Sequence, residues 1–127
     1  MTRMAVALTL ALLAAPMMLP PAQAQQATDG ERLFRTRCGT CHTIEPGQNR
    51  VGPSLAGVIG RTAGTLEGAR YSPALRQSGI IWSSETIDEY LANPRQLVPG
   101  TTMTVGLRAA EERAAVIAYL NGRMAAP

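Results

Sequence analysis

Lysine is absent from the 127 residues, histidine occurs once and cysteine twice. Arginine is therefore the only cationic side chain, and the arginines stand singly rather than in blocks. That spacing excludes the continuous basic face of a nucleic-acid-binding domain. Base composition of the coding sequence is cause enough for arginine without lysine. Aromatic residues are also few: Phe34, Tyr71, Trp82, Tyr90 and Tyr119 are the full set. A small chain with so little aromatic bulk has a limited core, and domains of this size often need a staple or a bound group. No alternating apolar pattern of useful length is present, which excludes a sheet. There is no internal repeat.

What is present begins with a leader. Arg3 precedes an uncharged apolar run to Leu19, Pro20 and Pro21 break it, and Ala22-Gln23-Ala24 has the small-x-small form of a cleavage site. The run is shorter than the roughly 20 apolar residues of a membrane span and contains Pro16. Residues 1–24 are thus expected to be a cleaved secretory signal peptide, and 25–127 a single exported, periplasmic domain with no stable membrane insertion. Without Arg3, that domain has one cation fewer than the 12 of the full chain, against 9 acids.

Helical signals account for most of the domain. Thr28-Asp29-Gly30-Glu31 has capping-box spacing and predicts a helix from about Asp29 toward Cys38. Ser72-Pro73-Ala74-Leu75, closing at Gly79, predicts a short one. Ser83 or Ser84 opens a third, with Ile87, Tyr90 and Leu91 inward, and Pro94 stops it. The last runs from about Ala109 to Asn121, with Arg113, Val116, Ile117 and Leu120 at i, i+3, i+4, i+7 and Gly122 at its end. The fold class expected is all-α, about four helices joined by long loops at Thr43 to Arg70 and Asn93 to Arg108. Loops that long in a compact domain need a reason.

Both cysteines and the histidine fall inside Cys38-Gly39-Thr40-Cys41-His42. Four chemistries compete for such a cluster. A disulfide suits an exported chain. A reactive dithiol of the thioredoxin kind needs a strand–helix context, which is missing. A structural zinc site takes four ligands, and only three Cys or His groups exist. The fourth, covalent attachment of c-type haem, has C-x-x-C-H as its signature. On one helical turn Cys38, Cys41 and His42 share a face, so two thioethers and an axial imidazole can meet one macrocycle from the same side. The export signal and the missing fourth zinc ligand favour this reading, and a haem would also fill the centre that so few aromatics cannot.

The second axial ligand decides between electron transfer and chemistry at an open iron. A second histidine does not exist. Met1, Met4, Met17 and Met18 leave with the leader, so Met103 and Met124 remain. Met124 sits in the terminal tail, where fraying is common. Met103 lies in the second long loop, away from any helical period; core filler is the plain alternative for a lone methionine.

These residues resemble the class I cytochromes c, the small soluble mitochondrial and bacterial type. The resemblance runs from about Gly30 to Leu120. It rests on Cys-Gly-Thr-Cys-His-Thr-Ile, on Gly52-Pro53-Ser54-Leu55-Ala56-Gly57-Val58-Ile59-Gly60-Arg61, and on Tyr71 through Trp82. Tyr90-Leu91-Ala92-Asn93-Pro94, Pro99-Gly100-Thr101-Thr102-Met103 and Ile117-Ala118-Tyr119-Leu120 follow in order. It implies one haem c held through Cys38 and Cys41, with His42 and Met103 on the iron. It further implies that the Pro53 carbonyl accepts from the outer nitrogen of His42. Arg61, Tyr71 and Trp82 would hold the haem propionates with help from Thr101, and Tyr90 would approach the Met103 sulfur. Gly30 and Phe34 would cross the last helix near Tyr119.

Departures from the family pattern are local. Val105 stands where a phenylalanine is common, the stretch from Met103 to Gly106 and the loop from His42 to Gly52 each look one residue shorter, and Leu75 replaces a polar residue. Where relatives ring the haem edge with lysines, this chain has Arg37, Arg50, Arg95 and Arg108, with Gln96 and Thr102 in place of two charges. The function implied is that of a monomeric electron carrier, not an enzyme. Its partners would be larger redox proteins such as a quinol–cytochrome c reductase, a terminal oxidase or a periplasmic dehydrogenase. Two alternatives remain: a haem sensor or peroxidase-like protein with an open or labile sixth position, and a tightly bound cytochrome subunit of a periplasmic dehydrogenase or oxidase.

Overall fold

The computed structural model describes residues 22–123. Helix α1 spans Ala22–Leu33 and runs without a break into a π-helical turn, Phe34–Cys38. The others are α2 (Pro73–Gln77), α3 (Ser84–Ala92), α4 (Pro94–Leu97) and α5 (Ala110–Asn121). The fold is all-α: the only β pairing among the described residues is an isolated bridge between Thr62 and Ile81. No helix among them is long and apolar enough to cross a membrane. The leader, Met1 to Leu19, and Met124 lie outside the described residues.

Three differences from the sequence expectations have local causes. First, α1 begins at Ala22 rather than Asp29. Ala22 to Ala27 consists of alanine and glutamine only; both are strong helix formers, and extending a helix costs less than starting one. The Thr28 box is simply passed through. Second, the last turn before Cys38 widens: the Gly39 N–H donates to the Phe34 carbonyl, 2.7 Å away and five residues back. The Cys38 carbonyl then accepts from both Cys41 N (3.0 Å) and His42 N (2.9 Å). Third, α3 ends before Pro94 as expected, but Pro94 also opens a further short helix. Asn93 closes α3 and caps α4, its Oδ1 accepting from Gln96 N at 3.2 Å, and Pro94 takes the first-turn position that needs no N–H.

The remaining starts follow their side chains. Ser72 Oγ accepts from Leu75 N at the start of α2 (3.1 Å), with Pro73 in the first turn. Ser83 and Thr86 make a reciprocal box at α3: Ser83 Oγ accepts from Thr86 N (3.2 Å) and Thr86 Oγ1 from Ser83 N (2.8 Å).

α1 crosses α5 at Gly30. A Cβ there would lie 1.9 Å from the Ala115 carbonyl oxygen, so only glycine permits this approach. One turn on, the Phe34 and Tyr119 rings meet with centroids 5.6 Å apart. α3 joins α5 through Arg113, whose Nε donates to Asp88 Oδ1 (2.7 Å). Leu33, Phe34, Ile87, Leu91, Val116, Ile117 and Leu120 form the apolar centre.

The long loops hold their shape by polar contacts instead. Asn49 Oδ1 accepts from Ser54 N (2.9 Å) and its Nδ2 donates to the Glu67 carbonyl (3.1 Å). Ser54, 1% exposed, donates to the Glu45 carbonyl at 2.7 Å. Leu107 N donates to the Leu91 carbonyl (2.7 Å), fastening the second loop to α3. The loops are the walls of a cavity, and that is why they are long.

Candidate functional site

The cavity has a volume of about 350 Å³, within the range of sites for cofactors and small ligands. All ten residues singled out from the sequence line it. The turn after α1 contributes Cys38, Cys41 and His42; the first loop Pro53 and Arg61; the segments beside α2 Tyr71 and Trp82. α3 supplies Tyr90, and the second loop Thr101 and Met103. Residues separated by more than 60 positions in the chain thus share one wall because the loops fold back over the helices.

His42 is the most tightly specified. Its Nδ1 lies 2.7 Å from the Pro53 carbonyl oxygen. A carbonyl can only accept, so Nδ1 carries the proton and the neutral ring leaves the Nε2 lone pair for a metal. Burial pushes the His42 pKa down, opposed by the Pro53 hydrogen bond and assisted by Arg61; a neutral imidazole is the ligating form. The ring packs so closely on Gly52 that a Cβ there would lie 2.4 Å from Cε1.

Both cysteines are half-buried and free, so the disulfide reading does not describe this structure. Burial raises the Cys38 pKa against the opposing Arg37 charge, and Cys41 raises it further. This is the reverse of a thiolate nucleophile's environment. Among the described residues no three His, Cys, Asp or Glu side chains converge as a metal cage needs.

Arg61 reaches inward, donating to the Ser54 carbonyl (2.8 Å) and the Ala56 carbonyl (3.4 Å). Burial holds its guanidinium below the ordinary value, with Tyr71 opposing. The Tyr71 hydroxyl accepts from Leu66 N (3.3 Å), and the Arg76 guanidinium stands 5.7 Å from its ring centroid. Trp82 is buried against Tyr90, ring centroids 5.1 Å apart. The Tyr90 hydroxyl pairs with Thr101 Oγ1 at 2.7 Å, so Thr101 meets Tyr90 here. Met103 is half-buried against the apolar core.

Leu75, Val58, Leu91, Val116 and Leu120 complete an apolar lining. Three arginines, Arg37, Arg61 and Arg70, share the wall, and none of the lining residues is acidic. Two thiols, a neutral imidazole, a thioether, apolar walls and excess positive charge fit an iron porphyrin with two carboxylates. Sequence reasoning missed Arg70 and Val51; adjacency to Tyr71 and Gly52 was the available signal. Val51 and Val105 are lips of the cavity, 76% and 60% exposed.

The cytochrome c family model matches residues 27–123. A cytochrome c of Gibberella zeae is 48% identical over 94 residues, covering 72% of this chain and 89% of that protein. Cytochrome c 2.1 of Caenorhabditis elegans is 45% identical over 93 residues (72% and 84%). A cytochrome c of Euglena viridis is 43% identical over 96 residues (75% and 94%).

Proposed function

The chain belongs to the cytochrome c family and, as such, is an electron-transfer protein with covalently attached haem c; from that premise we propose that it is a periplasmic one-electron carrier running between larger redox proteins, without acting as an enzyme. The observation that carries the reading is the convergence of Cys38, Cys41, His42 and Met103 on one cavity, with His42 oriented by the Pro53 carbonyl at 2.7 Å. When bound, the haem supplies a ferrous–ferric couple.

The residues of the chain set the conditions for that couple. Cys38 and Cys41 would anchor the macrocycle. His42 and Met103 would both ligate the iron, which would close it to exogenous ligands and, as His/Met ligation does, raise the potential. The Pro53 carbonyl strengthens the imidazole as a donor. Arg61, Tyr71 and Trp82 would receive the haem carboxylates. Tyr90 and Thr101, already bonded to each other, line the Met103 side with little free polarity.

The run from Met1 to Leu19 and the Ala22-Gln23-Ala24 site support export, with residues 25–127 as the working domain. The mass of protein recovered from the producing cell reports both cleavage and covalent haem. The few arginines of the cavity wall suit brief encounters of a monomer with a quinol–cytochrome c reductase, a terminal oxidase or a periplasmic dehydrogenase.

One observation favours a second reading, an open or labile sixth position serving a sensor or peroxidase-like role: Val105, just after Met103, is 60% exposed and covers little. The visible spectrum decides between them. A weak long-wavelength sulfur-to-iron band in the ferric protein, with no response of the reduced form to carbon monoxide, supports the carrier. A missing band with rapid carbon monoxide binding overturns it.

A further inference from the structure

The arginines around the cavity are not equivalent. Arg37 faces Glu112 at 3.6 Å, and Arg61 is held by two carbonyls. Arg76, outside the cavity wall, rests against the Tyr71 ring. Arg70 lines the cavity, is exposed, and has no hydrogen bond, ion pair or ring contact among the described residues. It precedes Tyr71 and Ser72 on the same wall. Ser72 Oγ already accepts from Leu75 N as the cap of α2. The Tyr71 oxygen accepts from Leu66 N and so keeps its own O–H to donate.

This leaves a corner of the cavity with one free guanidinium, one free hydroxyl donor and the remaining N–H groups of Arg61. No acidic side chain lines the cavity to balance them. Arg61, half-buried with no acidic side chain in the lining, carries a desolvation cost that its two carbonyls meet only in part and an incoming anion would offset further; Arg70, at the exposed edge, is free to reach the same anion. Two guanidiniums and a phenol on one wall supply donors for a carboxylate, the group arginine's planar fork binds most strongly.

Resting on the haem reading of the cavity, we propose that Arg70 is a second cationic binding residue for the haem carboxylates, and that its charge helps hold the reduction potential up. Neutralising the carboxylates from an exposed side chain favours the ferrous state, which carries one positive charge fewer at the iron than the ferric state. At about 10 Å, through a medium between protein and water, one unit charge shifts such an equilibrium about two- to fivefold. For a one-electron couple that is about 20–40 mV.

The test compares Arg70→Gln, Arg70→Lys and Arg32→Gln in the haem-loaded protein. Arg32 is exposed on α1 and does not line the cavity, so its loss makes the same charge change elsewhere. Potential is measured at low and moderate salt, with covalent haem content from the mass. Arg70→Gln is expected to move the equilibrium two- to fivefold toward ferric at low salt, with the gap narrowing as salt rises. Arg70→Lys should stay within twofold of the parent, and Arg32→Gln should not move. Equal potentials for Arg70→Gln and Arg32→Gln overturn the proposal, as does Arg70→Lys behaving like Arg70→Gln. A parent chain without covalent haem overturns it as well, through the reading beneath it, and the mass distinguishes that failure from the others.

Discussion

Replacing Gly52 by alanine tests the site at its tightest contact. Gly52 is not among the glycines with positive φ, so its backbone accepts alanine without strain and the cost is all contact. The added Cβ would lie 2.4 Å from His42 Cε1, 2.8 Å from Nδ1 and 2.9 Å from Nε2. Carbon atoms rest at about 3.5 Å or more, so the ring must retreat by about 1 Å. A retreat of that size takes the Nδ1–Pro53 hydrogen bond from 2.7 Å past the usual limit of about 3.2 Å. Losing it costs about 1 kcal/mol and the overpacking about 1–3 kcal/mol, so stability should fall by about 2–4 kcal/mol. In guanidinium the midpoint should drop with the slope unchanged. The potential should rise, because an imidazole without its outer acceptor is a poorer donor and stabilises ferric iron less. Gly47→Ala is the contrast: φ is +74° and nothing lies within 4 Å of its Cβ, so it should cost about 1–2 kcal/mol of backbone strain and leave the potential alone. An unchanged midpoint and potential in Gly52→Ala would refute the reasoning.

Arg113 is 13% exposed and, besides Asp88, donates to the carbonyls of Leu107 (3.1 Å) and Arg108 (2.8 Å). Arg113→Met should cost about 2–3 kcal/mol by loosening the loop behind Met103, whereas Asp88→Asn, at an exposed partner, should cost under about 1 kcal/mol; denaturant midpoints compare them. Burial raises the Tyr90 pKa above 10.0, with Thr101 opposing. The unfolded chain therefore loses that proton first, and stability should decline as pH rises past the ordinary tyrosine value. Tyr90→Phe should flatten that decline in unfolding curves between pH 9 and 11 while costing about 1 kcal/mol at neutral pH, because Thr101 loses its partner. Electron transfer to a partner should weaken only mildly with salt, since few charges ring the mouth; a steep fall in stopped-flow rates would contradict this.

Much of the fold was legible. α3 and α5 carry apolar residues at helical spacing, and Ser72 and Ser83 cap as their side chains dictate. The start of α1 was not legible, because a capping box is a local preference that a helix already under way overrides. The π-turn was hidden for another reason. Its widening shows in no residue type. α4 was missed because Pro94 reads equally as the end of one helix and the start of another.

At the site, the chemistry was visible in residue types: two cysteines and the single histidine in five residues admit few partners. Geometry was not. That Thr101 bonds Tyr90 depends on where the second loop meets α3, and that Arg70 is left without a partner depends on which neighbours Arg37, Arg61 and Arg76 find.

By itself, the sequence determined the covalent chemistry, the helical class and the shortage of core bulk, because these follow from side-chain identity and spacing along the chain. Tertiary structure alone decided the role of Gly52 as the surface the His42 ring rests on and the surplus of positive charge in the cavity. Each of these depends on distances between residues far apart in the chain, which local preference does not encode.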